Sequence, residues 1–381
     1  MTVWTADSVT EARRRGWDTV LPPDDLFRSP GWLSLEGEQT NIEPRYYLVG
    51  DETGGAEAAM SCYPLDATSE PWPFMRVDRT IRMLADRYGL DVGRQADAAL
   101  DALLPTYLCG GRRVPNTAVL TAPELGQEQR RRRLDELVGA AEDDALAHGV
   151  ASVSFLFVRE SDHDLRDVLK QGGYVEFPTA RYSTLHLDGT DFKTYLESLP
   201  SDRRRKVRYE RRQLEAAEVR FADEPLSPGI TKELVPLLLQ HGHKYGHTYT
   251  PEAMARNLAL HAKHCGPDAR VITARSADGV VRGFSLVVRR GSRLYIRQTG
   301  YDYEWQGKLP VYFALCFYEP IEYANRIGAT VLDYAVESEK TKRSRGCVLE
   351  QRFGYLKAFD ESTHAAAGRL VELIRQAQQS Q

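Results

Sequence analysis

The chain has 381 residues, of which 42% are hydrophobic and 27% charged, and a formal net charge of -4 at pH 7. That length suits two domains of ordinary size, and the composition is globular rather than disordered. No apolar run approaches the ~20 residues a bilayer-spanning helix needs, and the acidic net charge excludes a general polyanion binder.

The N-terminal MTVWTADSVTEARRRGW has no apolar core followed by a small-residue cleavage site, so no signal peptide is expected. The five cysteines are scattered and form no CxxC, which fits a reduced, cytoplasmic setting. Pro- and Trp-rich segments around Pro22, Pro30 and Trp32 open the chain. RYYLVG (45–50) and AEAAMSCYPL (56–65) predict two strands joined by the polar turn DETGG. TSEPWPFMRVD predicts a loop in which Pro71 and Pro73 bracket Trp72. TIRMLADRYG predicts a helix ended by its glycine. Leu134, Leu137, Val138, Ala141 and Ala145 fall at helical spacing within 126–148. ASVSFLFV (151–158) predicts a buried strand, HDLRDVLKQGG a short helix and ARYSTLHL (180–187) another strand. Strand, helix and strand with short links indicate α/β.

DFKTYLESLPSDRRRK reads as a junction that divides the chain into 1–194 and 195–381. A basic helix over about 201–217 follows, then strand EVRFAD and helices near 231–243 and 251–264. ARVITARS, VRGFSLVVRR and SRLYIRQTGYD predict three strands separated by DG and RG turns. A long apolar helix, LPVYFALCFYEPIEYANRIG, leads through Gly328 into strand TVLDYA. The repeated order of paired strands, helix and strand suggests a divergent duplication.

Four segments carry a family resemblance over about residues 195–358: SDRRRKVRYERRQLEAAEVRF, IRQTGYDYEWQGKLPVYFALCFYEPIEYANRIG, TVLDYAVE and VESEKTKRSRGCVLEQRFGYL. This stretch resembles the GNAT-like domain of Fem-type transferases. The resemblance implies two GNAT-like lobes, each a mixed sheet flanked by helices, with the first lobe degenerate or on the acceptor side. It further implies aminoacyl transfer from charged tRNA to an amine of a small metabolite or cell-wall precursor, with no tightly bound cofactor. Acetyl-CoA enzymes of this fold present a Q/RxxGxG/A loop whose backbone N–H groups hold pyrophosphate. Here the passage runs Arg297-Gln298-Thr299-Gly300, then Tyr301 to Lys308, with altered glycine spacing and two added carboxylates, Asp302 and Glu304. This departure favours the aminoacyl donor over the alternative, acyl-CoA. A third reading is a non-catalytic binder of RNA or a metabolite.

Amide formation by direct attack needs a positioned amine, a proton acceptor and a polarised carbonyl. Asp333 and Glu337 flank the end of TVLDYAVE as candidate bases; the alternative is an ion pair for Asp333 and a helix cap for Glu337. Tyr301 is a candidate acid, and Tyr303, Gln298, His243 and His247 are candidates for substrate contact. Lys308, Lys340, Lys342, Arg343 and Arg345 are candidate phosphate or tRNA ligands; the alternative for the basic loop is a solvated surface. Arg204, Arg208 and Arg211 form a stripe on the basic helix, whose cations face the positive end of its dipole and call for an anion. A solvated face is the competing reading. The histidines lack HExxH spacing or carboxylate ligands, so no metal is expected. Cys316 is expected in the core. Oligomeric state is not legible.

Overall fold

A computed structural model describes residues 2–40, 42–51, 55–69, 75–91, 93–111, 115–187 and 191–380. The centre of the DETGG turn and the loop around Pro71, Trp72 and Pro73 lie outside the described residues. The strands are β1 (Thr2–Ala6), β2 (Arg45–Asp51), β3 (Gly55–Leu65), β4 (Thr106–Cys109), β5 (Leu120–Thr121), β6 (Ser152–Arg159), β7 (Val175–His186), β8 (Arg220–Pro225), β9 (Ala269–Arg275), β10 (Val281–Arg290), β11 (Arg293–Tyr301), β12 (Val331–Asp333) and β13 (Val348–Ala358). They join in one 13-stranded sheet, ordered β1-β2-β3-β4-β6-β13-β7-β12-β11-β10-β9-β8, with β5 against β3. Helices in the first half are α1 (Val9–Arg14), α2 (Pro30–Gln39), α3 (Val77–Arg87), α4 (Gly93–Asp101), α5 (Gln127–Ala147), α6 (His163–Gln171) and α7 (Phe192–Ser198). Those that follow are α8 (Ser201–Ala216), α9 (Pro228–Lys244), α10 (Pro251–Cys265), α11 (Tyr303–Gln306), α12 (Val311–Phe313), α13 (Glu319–Ile327), α14 (Glu339–Arg343) and α15 (Glu361–Gln379).

One unit recurs along the sheet. Strands β2, β3 and β4 pair antiparallel, and β4 then pairs parallel with β6 across the crossover helix α5. Strands β9, β10 and β11 repeat the pattern, with β11 parallel to β12 across α12 and α13. Parallel strands covered by helices on both faces read as continuous apolar runs, and SVSFLFV of β6 is buried throughout. In the second half, α8 and α13 cover one face, while α2, α9 and α10 cover the other. The fold is α/β, a large mixed sheet flanked by helices.

The sheet does not part at the expected junction. Strand β13 lies between β6 and β7, so residues 348–358 stitch the C-terminal end of the chain into the first half. Helix α15 packs there with α3 and α4. In return, α2 crosses to α10, and Trp32 and Leu35 join the cluster of α9 and α10. That crossing requires Gly31, where any Cβ would lie 2.4 Å from the His264 carbonyl oxygen. Gly300 likewise lets α9 approach β11, since a Cβ there would meet the Leu237 backbone at 2.9 Å.

The long apolar helix is α12 and α13 joined by a π-helical turn, Ala314–Tyr318. Pro320 has no N–H to return to the Cys316 carbonyl four residues back, a local reason for the ladder to widen there. Among the described residues, no helix is long and apolar enough to cross a membrane, and no group of three His, Cys, Asp or Glu side chains is placed to hold a metal ion.

Candidate active site

Strands β11 and β12 run together only where Arg293, Leu294 and Tyr295 face Val331, Leu332 and Asp333. Beyond Tyr295, β11 continues to Tyr301 while β12 ends, so the sheet opens between them. At the same place the β10–β11 register skips a residue: Leu286 faces Gln298 and Val287 faces Ile296. Arg297 is the extra residue, and such a bulge re-aims the side chain it carries.

Arg297 points into a cavity of about 760 Å³ walled by α2, α9, α10 and β11. Its guanidinium lies over the rings of Trp32 (4.6 Å) and Phe27 (5.2 Å), and its Nε is buried with no hydrogen-bond partner among the described residues. Burial pulls its pKa below the usual arginine value, against the opposing pull of Tyr182, Asp333, Cys265 and Glu36. Gln298 follows; its Nε2 donates to Asn257 Oδ1 at 2.7 Å, and its Oε1 is buried with no partner among the described residues. His241 also lines the cavity, its Nδ1 2.7 Å from the Tyr303 hydroxyl. Burial, Lys244 and His247 lower the His241 pKa. Leu234, Leu237, Leu238 and His241 recur with helical spacing on α9, so the phase of that helix marks His241 as the inward histidine. His243 and His247 are exposed; the His247 ring stacks on Tyr249.

Asp333 pairs in register with Tyr295, and the Tyr295 ring, like Arg297, contacts Phe27. Asp333 therefore shares the cavity-side face of the sheet. It accepts from the Tyr182 hydroxyl at 2.6 Å and lies 3.8 Å from Arg293. Burial raises its pKa, while Tyr182, Arg293 and Arg297 work the other way. The segment after β12 is held in an unusual backbone: Ala335, Glu337 and Ser338 have φ of 51°, 69° and 53°. Left-handed non-glycine residues cost about 1–3 kcal/mol each and collect at functional sites. Lys342 holds this segment from inside, with Nζ donating to the carbonyls of Tyr334, Ala335 and Val336. Burial brings its pKa down to about 8. Glu337 is exposed at the end of the loop, 3.5 Å from Arg87 of α3.

The other sequence candidates divide by direction. Arg345 is buried against Glu210 (3.0 Å) and lies over Phe313, so it completes an internal ion pair. Arg204 donates to the Glu197 and Leu199 carbonyls at the end of α7. Arg211 pairs with Glu322 and lies over Phe192. The unfavourable charge at the start of α8 is thus offset by protein groups, with Arg205 paired to Asp202 as well. Arg208, Lys308, Lys340 and Arg343 remain exposed. Tyr301 is buried, 3.0 Å from Cys316 Sγ, which places Cys316 in the core as expected.

Where a CoA loop would stand, the chain forms α11. Asp302 caps that helix by accepting from Trp305 N–H (3.0 Å) and is paired with Arg282 (2.9 Å). A carboxylate thus already accepts from one amide, Trp305 N–H, at the start of α11.

A family profile for FemAB-like proteins, described as peptidoglycan biosynthesis/recognition, matches residues 112–381, more than half of the chain. A crystal structure of FemX is similar in fold, with a TM-score of 0.62 and 13% identity over 98% of this chain and 100% of that one. The C-terminal domain of a putative lysylphosphatidylglycerol synthetase from Agrobacterium fabrum gives 0.55 and 12% over 96% and 97%. L-PGS from Bacillus licheniformis gives 0.51 and 12% over 89% and 92%. A search of curated proteins finds no matching sequence. With the profile match added to the helix-flanked sheet and its opening beside β11, the chain belongs to the FemAB-like family and is a transferase of the Fem type.

Proposed function

We propose that the protein transfers an aminoacyl group from charged tRNA to the amine nitrogen of a small metabolite or cell-wall precursor in the cytoplasm. The amine attacks the ester carbonyl directly, the acyl C–O bond breaks and the tRNA leaves with its ribose oxygen reprotonated as a hydroxyl, with no covalent enzyme intermediate and no tightly bound cofactor. The observation that carries this reading is the cavity that takes Arg297, Gln298 and His241 into its wall at the opening of β11 from β12, in a chain of the FemAB-like family. We assign the division of labour to two GNAT-like lobes, 1–194 and 195–381, which exchange α2 and the segment from β13 to α15. The acceptor occupies the cavity, with Gln298 and His241 contacting it and Tyr303 orienting His241. Asp333, on the cavity-side face and bonded to Tyr182, takes the amine proton. Glu337 is the second candidate base, on the strained loop that Lys342 braces. Arg208, Lys308, Lys340 and Arg343, exposed side chains of like charge, meet the tRNA backbone.

The capped α11 supports charged tRNA over acyl-CoA. Millimolar CoA is expected to leave the melting temperature unchanged; a ligand that binds only the native state would raise it. Uncharged tRNA is expected to bind with affinity that falls steeply with salt. Replacing Arg208, Lys340 and Arg343 together is expected to lower the slope of log K against log salt by about one for each phosphate no longer neutralised. A CoA-dependent rise with no salt-sensitive tRNA binding would transfer the reading to an acyl-CoA N-acyltransferase. In Asp333→Asn, the single-turnover rate is expected to fall by about 10²–10⁴; an unchanged rate, with loss in Glu337→Gln instead, would move the base to the loop.

A further inference from the structure

Among the described residues, no acidic side chain pairs with the Arg297 guanidinium, and its Nε has no partner. The two carboxylates that act on it electrostatically are otherwise engaged: Glu36 accepts from Trp32 Nε1 at 2.9 Å and from the Tyr63 hydroxyl, and Asp333 accepts from Tyr182 at 2.6 Å. The Trp32 and Phe27 rings support the guanidinium from the sides, a setting that fixes its plane without neutralising it. A half-buried charge of this kind is held at some cost unless something pairs with it.

The next residue offers a group of opposite sense. Gln298 Oε1 is a buried acceptor with no donor among the described residues, in the same cavity, and its amide is oriented by Asn257. Glu252 lines the cavity from the first turn of α10 and is exposed; its side chain makes no ion pair among the described residues. One guanidinium matches one negative charge in the bidentate geometry of a carboxylate, and a carboxylate on the cavity wall disfavours a second. A phosphate dianion therefore fits less well than a carboxylate. We propose that this cavity binds an amine that also carries a carboxylate, of amino-acid or dipeptide size. The carboxylate takes the Arg297 fork and an N–H of the same molecule takes Gln298 Oε1. Calling that molecule the acceptor rests on the aminoacyl-transfer reading; its binding does not.

The test is calorimetric titration of the full chain, without tRNA, using glycine, L-alanine, L-lysine, glycylglycine and alanylalanine. Each is compared with its C-terminal amide, and phosphoethanolamine is included. At least one carboxylate is expected to bind, and its amide at least tenfold more weakly. Arg297→Met is expected to lose at least tenfold in affinity while its melting temperature rises, because the unanswered charge is gone. A merely structural Arg297 would lower the melting temperature instead. Should the Met variant fail to fold, Arg297→Gln serves for the affinity comparison. No carboxylate binding, equal binding of acid and amide, phosphoethanolamine as sole ligand, or full affinity in a folded Arg297 variant would each overturn the proposal. Because tRNA is absent, these outcomes leave the transfer reading to its own assay, and failure of transfer would leave carboxylate binding standing.

Discussion

Lys342 and Arg345 stand three positions apart in one basic run, and both turn inward. Lys342 braces the carbonyls of the strained loop; Arg345 pairs with Glu210, which also accepts from Tyr318 and lies 3.9 Å from Lys206. Arg345→Met strands Glu210, and removing one member of a buried pair costs about 3–5 kcal/mol. Urea denaturation should register that loss, while the salt slope of tRNA binding stays at its wild-type value. A stable variant with weakened tRNA binding would instead put Arg345 at the RNA surface. The Lys342 pKa of about 8 is below its ordinary 10.5. Between those values the unfolded chain holds the proton that the folded chain has released, so this group's contribution to stability rises with pH across that window. Lys342→Met should remove that rise; an unchanged stability–pH curve would contradict the assignment. Basic residues are legible in sequence as charge, but direction is not: Arg204, Arg211, Lys342 and Arg345 meet partners supplied by distant or neighbouring elements. Arg297 was visible only as part of an altered glycine motif, because the bulge that re-aims it depends on pairing with β10.

At the scale of elements, α13 carries a carboxyl out of its ordinary range. Burial raises Glu319 to about 7, with Arg211 opposing and Glu322 adding to the shift. A folded pKa above the unfolded 4.5 means that the native state binds more protons over that interval. Stability therefore falls as pH rises from about 4.5 to about 7. Glu319→Gln should flatten this dependence and raise stability at pH 8 by on the order of 1–3 kcal/mol. Equal stability–pH curves for the two proteins would contradict it. Most helices were readable where one face is apolar: α3, α5, α6, α9 and α10 fall near their predicted positions. Helix α2 was not, because Trp32 and Leu35 enter one core cluster and Leu33 another, which erases a one-sided pattern. Its Ser29 cap and Pro30 at the first position are the same start signal that opens α9 and α10, and could have revealed it.

At the scale of the whole molecule, the order of strands within each half follows from local pattern, but the insertion of β13 does not. A return strand is legible in VLEQRFGYL; its place between β6 and β7 is set by pairing across more than 150 positions of sequence. The opening beside β11 is similarly a product of topology, as is the crossing of α2 that closes the cavity. The fragment 1–194 should consequently fail to give a cooperative unfolding transition alone, since β6 and β7 would face each other across the gap left by β13. Cooperative folding of that fragment would show that the first half is self-sufficient.

The most direct measurement of the central claim is product formation with defined donors. Purified protein is incubated with a host metabolite extract and either a pool of aminoacyl-tRNAs or a pool of acyl-CoAs, and new amides are detected by mass spectrometry. The account predicts amides from the tRNA pool that disappear when RNase is added first, and none from the CoA pool. Amides from the CoA pool alone would contradict it and show that the α11 passage admits a pyrophosphate despite Asp302.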